Sequence, residues 1–247
     1  MSADPKAHSQ AEAGTTALRP EVATILATEH WSLLGTRSMT WSEVMSRITI
    51  YLTVVSAFLV VLALMASATG FGTPFRVMSI GFAATAVVLG TLTGMRVAAA
   101  SQEDAQLVRA INRFRRAYVD LAPEVKPYLT ASTHDDDEGL MVTYTLGRQR
   151  HTALQIVAST LIFVTVVNTL VAGTLTALIA SASGTPTPAT VIISVVAAFG
   201  YLAVQLEISR RLYAVHRDAD VRFPSPDPVS PARPGRSPRR RRRAGRT

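Results

Sequence analysis

The sequence predicts an all-α membrane protein, with four transmembrane helices set as two in–out–in hairpins and a cytoplasmic helical extension between them. Three observations predict it. The hydrophobic residues, 48% of 247, are gathered into four blocks instead of being spread along the chain. No Asp, Glu, Lys or Arg occurs between His151 and Glu207, where Gly184, Pro186 and Pro188 divide one long apolar run into two. Basic residues crowd the segments on one side of the blocks and nearly vacate the other.

The first block sets the pattern. Thr40–Thr69 reads TWSEVMSRITIYLTVVSAFLVVLALMASAT, without a charge from Ile48 to Ala68. At about 1.5 Å per residue that stretch spans roughly the 30 Å hydrocarbon core of a bilayer. Thr40 and Glu43 have the T-x-x-E spacing of a capping box. Trp41 falls where an interfacial aromatic is expected, and Arg47 closes the polar end. The first hairpin therefore occupies residues 46–99. Its spans are 46–69 and Val77–Met95, joined by the turn GFGTP at 70–74. The second occupies 152–208, with spans near 153–181 and 189–208. The 153–181 span is longer than a bilayer needs, which implies tilt or protrusion.

Residues 1–19 are small and polar, lack the apolar core of a signal peptide, and read as a disordered arm. Residues 20–45 form a cytoplasmic or interfacial helix, either lying on the membrane surface or packed on the protein's own cytoplasmic part. Val22, Ile25, Leu26, Trp31, Leu33 and Leu34 supply an apolar side, and Gly35 is placed to stop its first part.

Between the hairpins, residues 100–151 read as a cytoplasmic helix and an acidic loop. Leu107, Ile111, Phe114, Tyr118 and Leu121 recur at helical spacing, with Arg109, Arg113 and Arg116 on another face. No breaker intervenes before Pro123, so the second span is expected to continue as one helix to about Leu121. His134-Asp-Asp-Asp-Glu138 is expected to be a solvated loop facing those arginines, since it lacks the register of a calcium loop. Leu140, Val142, Tyr144 and Leu146 alternate with Met141, Thr143 and Thr145, the pattern of a short strand or an extended linker.

Residues 209–247 form a cytoplasmic tail that is disordered from Arg222, where six prolines and nine arginines gather. The net charge of +8 belongs to it, because residues 1–221 carry 16 basic and 16 acidic side chains. Both termini and the middle segment are expected to be cytoplasmic, in the inner (plasma) membrane of a bacterium. An Arg-to-Lys ratio of 23 to 2 fits the coding bias of a GC-rich bacterial genome. The absence of cysteine excludes disulfides, thiolate metal sites, cysteine nucleophiles and lipidated cysteines.

Two stretches, ALMASATGFGTP (63–74) and ALIASASGTPTP (177–188), match at eight of twelve positions at an offset of 114. Duplication would make the hairpins a parallel repeat; convergence of span ends rich in small residues is the alternative.

Candidate site residues are few. Ala86, Gly90 and Gly94 lie four apart, as do Thr165, Thr169, Gly173 and Ala177. Both series are expected to pack helices closely, within one subunit or between subunits. The alternative for the 153–181 span is a pore face, with Thr165 and Asn168 as polar contacts. Asn168 is the only amide deep in a span and is expected to hydrogen-bond another helix. No ionisable group sits at a span centre, which argues against proton-coupled transport. Glu207 and Arg211 have the i,i+4 spacing of an ion pair. No H-E-x-x-H, Walker or G-x-S-x-G motif occurs, so neither an enzyme nor a cofactor or metal site is expected. Arg239, Arg240, Arg241, Arg242 and Arg243 suit anionic lipid headgroups better than nucleic acid.

Trp31-Ser32-Leu33-Leu34, Arg37-Ser38 and Trp41-Ser42-Glu43 running into the first span resemble four-span bacterial integral membrane proteins with no assigned activity. The resemblance covers residues 20–130 and implies no chemistry. The expected role is a non-enzymatic structural or interaction protein that forms homo-oligomers in the lipid bilayer. The alternatives are an oligomeric channel or small transporter, and an adaptor acting through the arginine-rich tail.

Overall fold

A computed structural model describes residues 5–147, 159–215 and 220–226, with side chains for 20–147, 159–211 and 220–226. The described chain is all-helical. In order come α1 (Pro5–Thr69), α2 (Thr73–Leu121), a 3-10 turn (Pro123–Tyr128), α3 (Asp137–Thr145), α4 (Thr160–Ala182) and α5 (Thr187–Val215). Four of them, α1, α2, α4 and α5, are long and apolar enough to cross a membrane.

α1 is longer than the sequence implies. It runs from Pro5, through residues assigned to a disordered arm, past Pro20 and Gly35, and through the supposed cap at Thr40. Gly35 does not stop it. A glycine inside a helix costs only about 1 kcal/mol, and packing along a continuous partner exceeds that. Thr40 caps nothing because the preceding residues are already helical. The Glu43 carboxylate turns sideways, to Arg47 at 2.9 Å and Arg96 at 3.0 Å.

The partner is α2, and the seam has a period of seven. On α1 it passes through His30, Arg37, Val44, Tyr51 and Phe58. His30 stacks on Tyr118, with ring centroids 5.6 Å apart. Arg37 pairs with Asp104 at 2.6 Å. Val44 shares the buried core with Val97. Tyr51 lies over Gly90. Phe58 stacks on Phe82, with centroids at 4.3 Å. From Arg37 to Phe58 each heptad on α1 is answered by seven or eight residues along α2, the geometry of an antiparallel coiled hairpin, and at the far end His30 reaches Tyr118, fourteen residues beyond Asp104. Beyond Arg96, α2 continues to Leu121, about 38 Å at 1.5 Å per residue. The same seam therefore serves the apolar half of the hairpin and a polar stalk.

α2 is the central helix, packing on α1 and α4; α5 lies mainly on α4 and touches α2 lightly. Val44, Ile48, Val97, Ala100 and Val164 form the core where α1, α2 and α4 meet, flanked by Trp41, Leu52 and Leu161. The outward faces of α1 and α5 are apolar and exposed, with Ile50, Leu59 and Leu64 on one and Ile192, Val196 and Phe199 on the other.

The segment read as a strand or linker is a helix. Asp136 caps α3 by accepting the Gly139 N–H at 2.7 Å, and Asp137 and Glu138 stand in the first turn where the helix dipole favours anions. Capping outweighs an alternation too short to find a partner strand. On α5 the Glu207–Arg211 pair forms at 2.8 Å.

Both hairpin turns use the same device. Gly70 and Gly184 adopt left-handed backbones, with φ of +70° and +77°. The following helices begin at Thr73 and Thr187, each with proline second. Nothing lies within 4 Å of a Cβ built on either glycine. Gly70→Ala and Gly184→Ala should therefore each cost only the backbone strain, about 1–2 kcal/mol, read as a lower midpoint of unfolding in detergent micelles.

Candidate functional site

Two polar networks organise the molecule, one inside the helical bundle and one on the stalk. The first is centred on Asn168 of α4, which is 0% exposed. Its Oδ1 accepts from Tyr51 Oη of α1 at 3.4 Å. Its Nδ2 donates to Thr91 Oγ1 of α2 at 3.3 Å and to Tyr201 Oη of α5. Tyr201 Oη also meets Thr91 Oγ1 at 2.8 Å and accepts from Gln205 Nε2 at 2.6 Å. One carboxamide thus ties together the four helices able to span a membrane, and nothing in the network is charged.

The node exists because Gly90 has no side chain. A Cβ there would collide with the Asn168 carboxamide and come within 2.9 Å of Tyr51 Cζ. Two residues that the sequence offers separately, a packing glycine and a polar contact, are halves of one feature. Ala86 and Gly94 are buried on the same face of α2, Gly94 beside Val164. The other series divides. Thr165 is buried with Asn168, whereas Gly173 faces α5, where its Cβ would stand 3.2 Å from Ala198 Cβ. Thr169 and Ala177 are half-buried, and the Thr169 hydroxyl returns to the Thr165 carbonyl at 2.8 Å.

The stalk network centres on Asp104, which is buried. Its carboxylate accepts from Arg37 Nε at 2.6 Å, Trp41 Nε1 at 2.8 Å and Tyr144 Oη at 2.6 Å. Burial is the largest single influence and opposes the charge. The bonds from Arg37, Tyr144 and Trp41 together outweigh it and hold the carboxyl below its ordinary value. One turn beyond Val108, the buried Asn112 is fully committed. It donates to the carbonyls of His134 at 2.8 Å and Gly139 at 3.3 Å, and accepts from Arg115 at 2.7 Å and Thr143 at 2.9 Å. Gly139 is required there, since a Cβ would collide with the His134 carbonyl. The acidic loop meets the basic helix face, Asp137 on Arg109 at 2.5 Å and Asp135 on Arg113 at 2.6 Å.

Asp104 and Asn112 are absent from the sequence-derived candidates. Their signal is their place on the apolar face of α2, in register with Val108 and Ile111, where a lone polar side chain requires partners. Among the described residues, no three His, Asp or Glu side chains converge as a metal site. Arg239–Arg243 lie outside the described residues. The hydrogen bonds of both networks run between separate helices and the loop before α3, and so hold these elements in place. Comparison with protein-family models, curated proteins and solved structures finds no match to the chain.

Two expectations follow. Gly90→Val should unfold the bundle or force Asn168 out, while Asn168→Leu should cost about 0.6–2 kcal/mol, both read as loss of monodisperse protein and a lower melting temperature. In the stalk, Asp104 has a depressed folded pKa, so its stabilisation is present above the unfolded value of about 3.9 and lost as pH falls through the folded one. Trp41 fluorescence should shift below about pH 4, and Asp104→Asn should flatten that transition. Trp31, 75% exposed, should report no change.

Proposed function

We propose that this is a non-enzymatic, multi-pass protein of a bacterial inner membrane, whose four-helix bundle anchors a rigid cytoplasmic stalk that serves as an interaction surface. The observation that carries this reading is the single α1–α2 seam, which passes without a break from the apolar bundle to the capped stalk tip. A protein built for flux through its own core needs polar groups facing a path. Here Asn168 and Thr165 of α4 are buried against the chain's own helices. The hydrogen bonds of Asn168 to three other helices favour the structural role over the channel alternative.

Orientation rests on basic residues. Arg96, Arg109, Arg113, Arg115 and Arg116 crowd the stalk, while the hairpin turns hold only Arg76. Self-association would use the exposed outer faces of α1 and α5, because the Ala86–Gly90–Gly94 stripe is already filled within the chain.

The lack of native cysteine makes the test direct. Thr73→Cys, in a hairpin turn, should react with an impermeant maleimide added outside intact cells. Tyr128→Cys, at an exposed stalk position, should react only after lysis. Purified protein in liposomes should conduct no ion selectively. A selective flux abolished by Asn168→Leu in a folded variant would overturn the reading.

A further inference from the structure

The acidic loop does more than neutralise the basic face of α2, because a distant piece of chain is seated on it. Residues 220–226, read from sequence as disordered tail from Arg222 onward, lie against Asp135 and Asp136 with a bend at Arg222 and Phe223. Asp135 accepts the backbone N–H of Arg222 at 3.0 Å and of Phe223 at 2.7 Å, and its own N–H donates to the Phe223 carbonyl at 3.2 Å. Asp136 accepts the backbone N–H of Ser225 and, at 2.9 Å, the Ser225 hydroxyl. Arg113 donates to the Asp220 carbonyl while pairing with Asp135, and the Arg116 guanidinium lies 5.8 Å from the centre of the Phe223 ring.

The match between segment and receptor is close. Pro224 and Pro226 have no N–H, so Arg222, Phe223 and Ser225 carry the only backbone donors from Arg222 to Pro226. The two carboxylates take all three. Asp135 is thereby 0% exposed, a carboxylate removed from water and compensated by two amides and a guanidinium. Apart from the half-buried Phe223 ring, the segment contributes little apolar burial. Contacts made mostly of backbone hydrogen bonds, with little hydrophobic area, give specificity and ready exchange rather than a permanent fixture.

We propose that Asp135, Asp136, Arg113 and Arg116 form a binding site for a short peptide of the pattern aromatic–Pro–Ser–Pro. The chain's own residues 220–226 are its resident ligand. The site rejects a negative charge at the serine. Ser225 donates to Asp136, and Asp137 and Glu138 follow directly, so an anion at position 225 meets carboxylates where a donor is needed. The residues after Pro226 lead to the arginine run, so occupancy of the site governs whether that run is tethered to the stalk. This goes beyond the proposed function and does not depend on which side of the membrane the stalk occupies.

The test uses the full chain in lipid nanodiscs and follows amide hydrogen exchange of residues 220–226. The wild-type amides of Arg222, Phe223 and Ser225 should be protected. Ser225→Asp should speed their exchange about tenfold or more, the scale of losing bonds to a charged acceptor, and so should Asp135→Asn. Ser225 makes its hydrogen bonds to Asp136, at the edge of the stalk, so an unchanged melting temperature of Ser225→Asp separates release from unfolding. A synthetic peptide of residues 218–228, at the millimolar level expected of a short tether, should displace the resident segment and raise its exchange saturably. The same peptide with phosphoserine at the position of Ser225 should not. Equal exchange in wild type and Ser225→Asp would overturn the proposal, as would failure of the unmodified peptide to compete.

Discussion

Asn168 can be buried among apolar helices only because Gly90 leaves room for its carboxamide, and the register of the whole hairpin follows from that fit. An amide in hydrocarbon has no water to fall back on, so its donors and acceptor must be met by neighbouring helices. Meeting them fixes Tyr51 of α1, Thr91 of α2 and Tyr201 of α5 at one level. Once Tyr51 stands over Gly90, the heptad steps bring Val44 to Val97 and Arg37 to Asp104. A shift of one turn would bury Tyr51 against a side chain and leave Asp104 without its donors. The uncharged node and the charged stalk are therefore coupled through helix register, with no direct contact between them.

The stalk uses charge for specificity more than for stability. Removing a carboxylate from water is costly, and a buried ion pair often does no better than a hydrophobic pair of the same volume. Asp104 has three donors from three positions: Arg37 and Trp41 one turn apart on α1, and Tyr144 on α3. A hydrophobic replacement could match the energy but could not demand all three partners at once. That demand places α3 against α1 and α2, and with it the loop that carries Asp135 and Asp136.

The four bilayer-length helices were legible because length and apolar composition leave a local mark, namely runs of about 20 residues without charge. The α2 extension to Leu121 was legible for a similar reason, since no breaker interrupts its periodicity before Pro123. Residues 20–45 were read as helical, but their continuity with the first span was missed because the seam is chemically mixed. His30, Arg37, Val44, Tyr51 and Phe58 share a period of seven but no hydropathy, so an apolar-stripe criterion passes over them. Gly35 and the T-x-x-E at Thr40 then offered local stop and start signals that tertiary packing overrode. α3 was misread because alternation over seven residues carries less weight than the Asp136 cap. The seat of residues 220–226 leaves no local mark: the segment is proline-rich and polar, and only its donors, matched to two distant carboxylates, distinguish it from the rest of the tail.

The internal similarity at an offset of 114 is explained by turn physics as far as it goes. Its matched Gly70 and Gly184 are the positions that need a left-handed backbone, and its matched Pro74 and Pro188 stand in the first turn of the helix that follows. Away from the turns the equivalence fails where it would matter most. At the same offset Gly90 corresponds to Val204, and Asn168 to Val54. Each hairpin therefore brings a different part of the node: α1 and α2 supply the gap and the register, and α4 and α5 supply the carboxamide and the second tyrosine. Identical hairpins would give either two gaps without an amide or two amides without a gap. The divergence between the halves is what allows a polar group to be buried at their junction, and the junction in turn holds the stalk at a fixed height above the bundle.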